Sequence, residues 1–166
     1  KATENLYKSL KYFEKALKIT NDYEIYFGYA VCLFETKQYQ KAKEIFEELL
    51  LEYPNRMRLL LSISYCEAYL GNKERALHYL KQVKVDQDEN YYLATDDIDD
   101  FQIFEVYYFL EEYNLFLEEC EKVIESFYFA DWDHYFYTLW LKNVNEKFNK
   151  YIDKYKNEML EAIKNN

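Results

Sequence analysis

The sequence predicts an all-α chain, a run of antiparallel helical hairpins stacked side by side. Three observations lead there. Only 2 Gly and 1 Pro occur in 166 residues, too few for the positive-φ turns and strand punctuation of a β-rich fold. Half the residues are hydrophobic, which is ample for a core. Apolar residues also recur with two periods at once: a helical one inside each segment and one near 34 residues between segments.

The longer period is clearest between 38–55 (QYQKAKEIFEELLLEYPN) and 71–88 (GNKERALHYLKQVKVDQD). Ala42 and Ala76, Phe46 and Leu80, and Leu49 and Val83 are each 34 apart, as are Ala30 and Ser64, and Cys32 and Cys66. Before them, Phe13 to Phe46 and Ala16 to Leu49 are each 33. After them, Leu80 to Cys120 and Val83 to Val123 are each 40, and Cys120 to Ile152 and Val123 to Tyr155 are each 32. The excess belongs in the loop 86–100, because a loop gains residues cheaply while packed helices keep their register.

The elements follow in order. Residues 1–22 supply a partial repeat, its second helix only, through Ser9, Phe13 and Ala16. In 23–56, Tyr26, Tyr29, Ala30 and Leu33 form one apolar stripe. The pattern restarts after 36–38 with Tyr39, Ala42, Ile45, Phe46 and Leu49, and Pro54 stops it. In 57–96, Leu60, Ile63, Ser64 and Tyr65 precede a break at Gly71-Asn72, where a helix end favours a left-handed residue. Ala76, Leu80 and Val83 make the partner stripe. The repeat 97–128 is degenerate: Ile103, Phe104 and Tyr107, then Tyr113, Phe116, Cys120 and Val123. In 129–166, Trp132, Tyr135, Phe136 and Leu139 precede a capping helix striped with Phe148, Ile152, Tyr155, Met159 and Ile163. The whole, 1–166, is expected to form a single domain.

These positions resemble the tetratricopeptide repeat: large, then large and small, then apolar residues, a turn, Ala, an aromatic, an apolar residue and Pro. Residues 23–56 resemble it most, through Tyr26, Tyr29, Ala30, Leu33, Tyr39, Ala42, Phe46, Leu49 and Pro54. In 57–96, Asp88 stands where the proline would be. Phe104 and Phe116 occupy places where small residues are usual, so looser or shifted packing is expected there. The resemblance runs from about residue 5 to about residue 155 and implies a right-handed superhelical array, an α-solenoid of four to five repeats.

The same resemblance implies that the first helix of each hairpin lines a concave groove. The carried-over positions are Glu24, Phe27, Val31, Phe34 and Glu35; Arg58, Leu61, Tyr65, Ala68 and Tyr69; and Ile98, Phe101, Glu105, Tyr108 and Phe109. Most are apolar or aromatic, three are acidic and only Arg58 is basic. The Lys, Arg and Asn with which some family members grip a terminal carboxylate are missing. A scaffold or adaptor is therefore expected, one that takes an apolar or basic protein segment in an aromatic, acidic-rimmed groove. The alternative is a small acidic antidote that neutralises a basic effector or toxin by direct binding.

Charge and motifs narrow the classes further. The net charge of −10 disfavours nucleic acid and anionic membrane. No run of about 18 apolar residues exists and no signal peptide is legible. The chain opens on Lys1 rather than Met, as a fragment of a longer protein or a trimmed chain would. Cys32, Cys66 and Cys120 are odd in number and unpaired in sequence, which favours buried thiols in a reducing, cytoplasmic setting over a disulfide or zinc framework. His78 and His134 lack companions at metal-ligand spacing. Asp96, Asp97, Asp99 and Asp100 lack the central Gly and closing Glu of a calcium loop and read as a solvated loop with a helix cap. No phosphate-binding or nucleophile motif occurs. Neither a cofactor nor enzymatic activity is expected.

Overall fold

A computed structural model of the chain describes residues 2–54, 56–89, 100–116 and 118–119. The chain divides into two compact units, Lys1–Val106 and Tyr107–Asn166. Among the described residues run, in order, α1 (Ala2–Leu17), α2 (Tyr23–Glu35), α3 (Tyr39–Glu52), α4 (Met57–Tyr69), α5 (Lys73–Glu89) and α6 (Asp100–Phe109). Among the described residues there is no strand.

In the first unit each helix from α1 to α5 packs on the next. The two full hairpins, α2/α3 and α4/α5, turn in the same way. At the end of α2 the Gln38 amide donates to Leu33 O at 2.8 Å and the Lys37 amide to Phe34 O at 2.9 Å. At the end of α4 the Asn72 amide donates to Glu67 O at 2.8 Å and the Gly71 amide to Ala68 O at 3.1 Å. These paired bonds satisfy the last helical carbonyls and require a left-handed residue between them. Gly71 supplies it at φ 84°, and Lys37 does so at φ 66°. The next helix then starts on the turn residue itself: Ala42 N–H to Gln38 O and Ala76 N–H to Asn72 O, both 3.0 Å.

The hairpins close on small residues. Ala30, Ala42, Ser64 and Ala76 are all 0% exposed. A larger side chain at any of them would hold the paired helices apart. Ser64 goes further, its hydroxyl donating to Ala76 O at 2.8 Å. Around these contacts lies the core of Leu10, Leu33, Ile45, Phe46, Leu49, Leu59, Ile63 and Cys66. Each large apolar side chain buried there contributes roughly 1.5–3 kcal/mol. The ring of Phe13 in α1 lies so close to α2 that a Cβ at Gly28 would meet it at 2.8 Å. α3 ends at Glu52, two residues before Pro54.

One polar cluster sits inside this apolar array. The Glu67 side chain of α4 is 0% exposed. It accepts from Lys43 Nζ of α3 at 3.1 Å, from Arg75 Nε of α5 at 3.3 Å, and from Asn72 Nδ2 of the turn at 2.7 Å. A buried carboxylate is tolerable only when so partnered. Sequence reading places no ion pair here.

In the second unit the same turn recurs. Glu111 has φ 60°; its amide donates to Tyr108 O at 3.0 Å, the Glu112 amide to Tyr107 O at 2.9 Å, and Phe116 N–H to Glu112 O at 2.9 Å. Left-handed residues at 37, 71 and 111 repeat the sequence spacings of 34 and 40 in backbone geometry. Tyr107, Leu110 and Phe116 are buried, and the Phe116 ring lies 5.7 Å from that of Tyr108. The loop expected at 86–100 is shorter at both ends, since residues 86–89 belong to α5 and Asp100 begins α6. Expectations placed on residues 90–99 and 120–166 lie outside the described residues: the rest of the acidic loop, Ile98, Cys120, His134, the repeat 129–166 and the capping helix.

Candidate partner-binding cleft

α2 and α4 are the leading helices of successive hairpins, and a cleft of about 350 Å³ opens between them. Val31, Phe34 and Glu35 line it from α2, Ser62, Tyr65 and Tyr69 from α4, and the buried ring of Phe46 borders it from α3. On α4 the stripe has helical spacing, with Ser62, Tyr65 and Tyr69 at i, i+3 and i+7. The closeness of the two helices follows from α3, which packs against both.

The rings are set by one another. Phe34 meets Tyr69 edge-on at 5.2 Å and 83°, and Tyr65 at 6.1 Å and 80°. Tyr39, at the start of α3, lies 5.1 Å from Phe34 and 5.0 Å from Tyr69. Edge-to-face contact places the positive rim of one ring on the negative face of another, so the walls are held before any guest arrives. Tyr69 is 43% exposed and Val31 is 37% exposed. Glu35, the last residue of α2, puts an exposed carboxylate at the rim. Burial, then that carboxylate, pushes the Cys32 thiol upward.

The structure brings Val31, Phe34, Glu35, Tyr65 and Tyr69 of the expected groove positions into this one cleft. Phe27 is half-buried outside it, 5.4 Å from Phe46 and under the Arg58 guanidinium at 5.9 Å. Glu24 is exposed in the first turn of α2, where its amide donates to the Asp22 carboxylate at 2.9 Å. Leu61 is 2% and Ala68 4% exposed, so both belong to the helix packing and offer a guest no surface. Tyr108 lies in the second unit, half-buried with Tyr113 at 5.7 Å, and Phe109 there is 47% exposed. The side chains of Phe101 and Glu105 lie outside the described ones. Ser62 and Phe46 line the cleft without having been among the expected groove positions. The spacing of Ser62 to Tyr65 and Tyr69 was the available signal for the first, while Phe46 arrives through the fold alone.

A second, smaller hollow of about 110 Å³ lies where α2 meets α3, lined in part by Tyr26, Glu48 and Tyr53. Tyr26 donates to Glu48 Oε2 at 2.7 Å. Burial first, then the Glu48 carboxylate, pushes that phenol up to about 12. Among the described residues no group of three or more His, Cys, Asp or Glu is placed to hold a metal ion. Nor is any described helix long and apolar enough to cross a membrane.

Residues 5–64 match the family model described as tetratricopeptide repeat. The matched stretch takes in most of α1, all of α2 and α3, and the first part of α4. No curated protein and no solved structure matches the chain.

Proposed function

We propose that this chain, whose residues 5–64 belong to the tetratricopeptide repeat family, is a scaffold that holds a segment of another protein in the cleft between α2 and α4. Repeats of this family bind proteins or peptides and are typically not enzymes. The observation that carries the reading is the cleft itself: about 350 Å³, with one exposed carboxylate beside three interlocked aromatic rings on two leading helices. Half-exposed aromatic surface with a polar rim is what protein recognition uses.

The test compares the wild-type chain with Phe34→Ala/Tyr65→Ala in affinity capture from the lysate of cells that make it. Both proteins are first matched by circular dichroism melts. The captured partner is expected to bind the double variant at least about tenfold more weakly, as loss of two aromatic anchors implies. Equal retention by both proteins removes the cleft from the mechanism. The net charge of −10 also favours a narrower form of the same reading, an inhibitor that covers a basic effector. Association in that case slows steeply as salt rises, and a salt-indifferent rate excludes it.

A further inference from the structure

We infer that the guest this cleft selects is a guanidinium group: the side chain of an arginine in the bound segment, stacked on the aromatic wall and paired with Glu35. The inference rests on the scaffold reading above and specifies what the scaffold recognises.

Four observations point the same way. Tyr65 and Tyr69 each stand nearly perpendicular to the Phe34 ring, at 80° and 83°, so both ring faces and ring edges border a small volume. A flat cation gains most from ring faces. Among the described residues, the seven that line the cleft include one carboxylate, Glu35, and no basic side chain. The electrostatics of the backbone add to this. Glu35 is the last residue of α2 and Tyr69 the last of α4, so both helices end at the cleft, and neither carries a basic residue in its last turn. Two helix C-termini give partial negative charge at one place, which favours a cation and repels a carboxylate. Finally, the same unit shows aromatic surface accepting guanidinium groups. Arg56 lies 4.7 Å from the Tyr23 ring centre and 5.5 Å from that of Tyr53, and Arg58 lies 5.9 Å from that of Phe27.

Arginine is preferred to lysine because the planar fork can stack on a ring while it hydrogen-bonds a carboxylate. An ammonium is a compact, strongly hydrated point charge and gains less from a ring.

Two end-capped hexapeptides test the inference, one of arginine and one of citrulline, its neutral near-isostere. Each is titrated calorimetrically into the wild-type chain, Glu35→Gln, Tyr69→Ala and Glu44→Gln. Glu44 is an exposed residue of α3 that does not line the cleft, so its variant controls for the overall charge. Arginine is expected to bind on the order of tenfold more tightly than citrulline. Glu35→Gln and Tyr69→Ala should each weaken it on the order of fivefold, and Glu44→Gln should leave it unchanged. If Glu35→Gln and Glu44→Gln weaken binding equally, the attraction is diffuse charge and the inference fails. The inference also fails if arginine and citrulline bind alike, yet the scaffold reading then stands provided Phe34→Ala/Tyr65→Ala still releases the captured partner. If neither peptide binds and the captured partner is indifferent to that double variant, both readings fall.

Discussion

The hairpins α2/α3 and α4/α5 share one backbone plan and differ at the residues that carry it out. Their turns make the same pair of amide bonds, but one passes through Lys37 and the other through Gly71. Each has a fully buried pair of small residues, Ala30 with Ala42 and Ser64 with Ala76. Thirty-four residues after Leu33, 3% exposed, stands Glu67, 0% exposed. A position that one hairpin seals with hydrocarbon is sealed in the next by a carboxylate and its three donors. The repeat thus constrains size and backbone conformation tightly and chemistry loosely, and its tolerance leaves the leading helices free to build a cleft.

The largest effect that would sharpen this contrast is at Glu67. Glu67→Ala is expected to cost about 3 kcal/mol, since it strands the largely buried Lys43 ammonium (side chain 11% exposed). Lys43→Met should cost about 2 kcal/mol, because Glu67 keeps Asn72 and the more exposed Arg75. The double variant Lys43→Met/Glu67→Leu copies the Leu33 solution and is expected to recover most of the loss. Urea midpoints at unchanged slope measure all three. A double variant as unstable as the sum of the singles would show that the cluster is not an exchangeable seal.

The turns come next. At Gly71 a Cβ would meet no atom within 4 Å, so Gly71→Ala is opposed by backbone conformation alone and should cost about 1 kcal/mol. Lys37→Gly relieves the matching strain at φ 66° and should stabilise by about 0.5 kcal/mol after the entropy of the freer unfolded chain is set against it. Opposite signs at matched positions are the signature to look for; two losses would break the equivalence of the turns.

The smallest effect is at the matched thiols. Cys66 is pushed up to about 12, by burial first and then by the Glu67 carboxylate; Cys32 is raised by burial and then by Glu35. A raised thiol means that the native chain holds its proton more tightly than the unfolded one does. The Cys66 contribution is therefore whole below the ordinary value of 9.0 and is lost as pH climbs from there toward about 12. Iodoacetamide at pH 8 is expected to label half-buried Cys32 before buried Cys66. Equal rates would mean that the second hairpin opens as readily as the first.

The sequence made legible what depends on spacing along one chain. The 34-residue offset placed Ala30 against Ser64 and Ala42 against Ala76, and Gly71 marked its own turn. The 40-residue offset carried the register past the long loop to Phe116, whose amide takes the place in its turn that those of Ala42 and Ala76 take in theirs. Lys37 and Glu111 gave no such sign, because their left-handed conformation is imposed by the helices on either side rather than favoured by the residue. The Glu67 cluster was illegible for another reason: Lys43 and Glu67 are 24 residues apart on different helices, and only the rotation of each helix about its axis brings them together. The same rotation decided that Ser62 enters the cleft while Leu61, one residue away, is buried.

Site-specific photocrosslinking tests most directly whether another chain lies between α2 and α4. A benzophenone side chain is placed at Tyr69 or Val31, which line the cleft, and at Leu51 or Ile19, which are 86% and 89% exposed and do not line it. The cleft positions are expected to capture one and the same partner under light, with Leu51 and Ile19 capturing none of it. Capture from Leu51 or Ile19 with none from Tyr69 and Val31 would contradict the assignment.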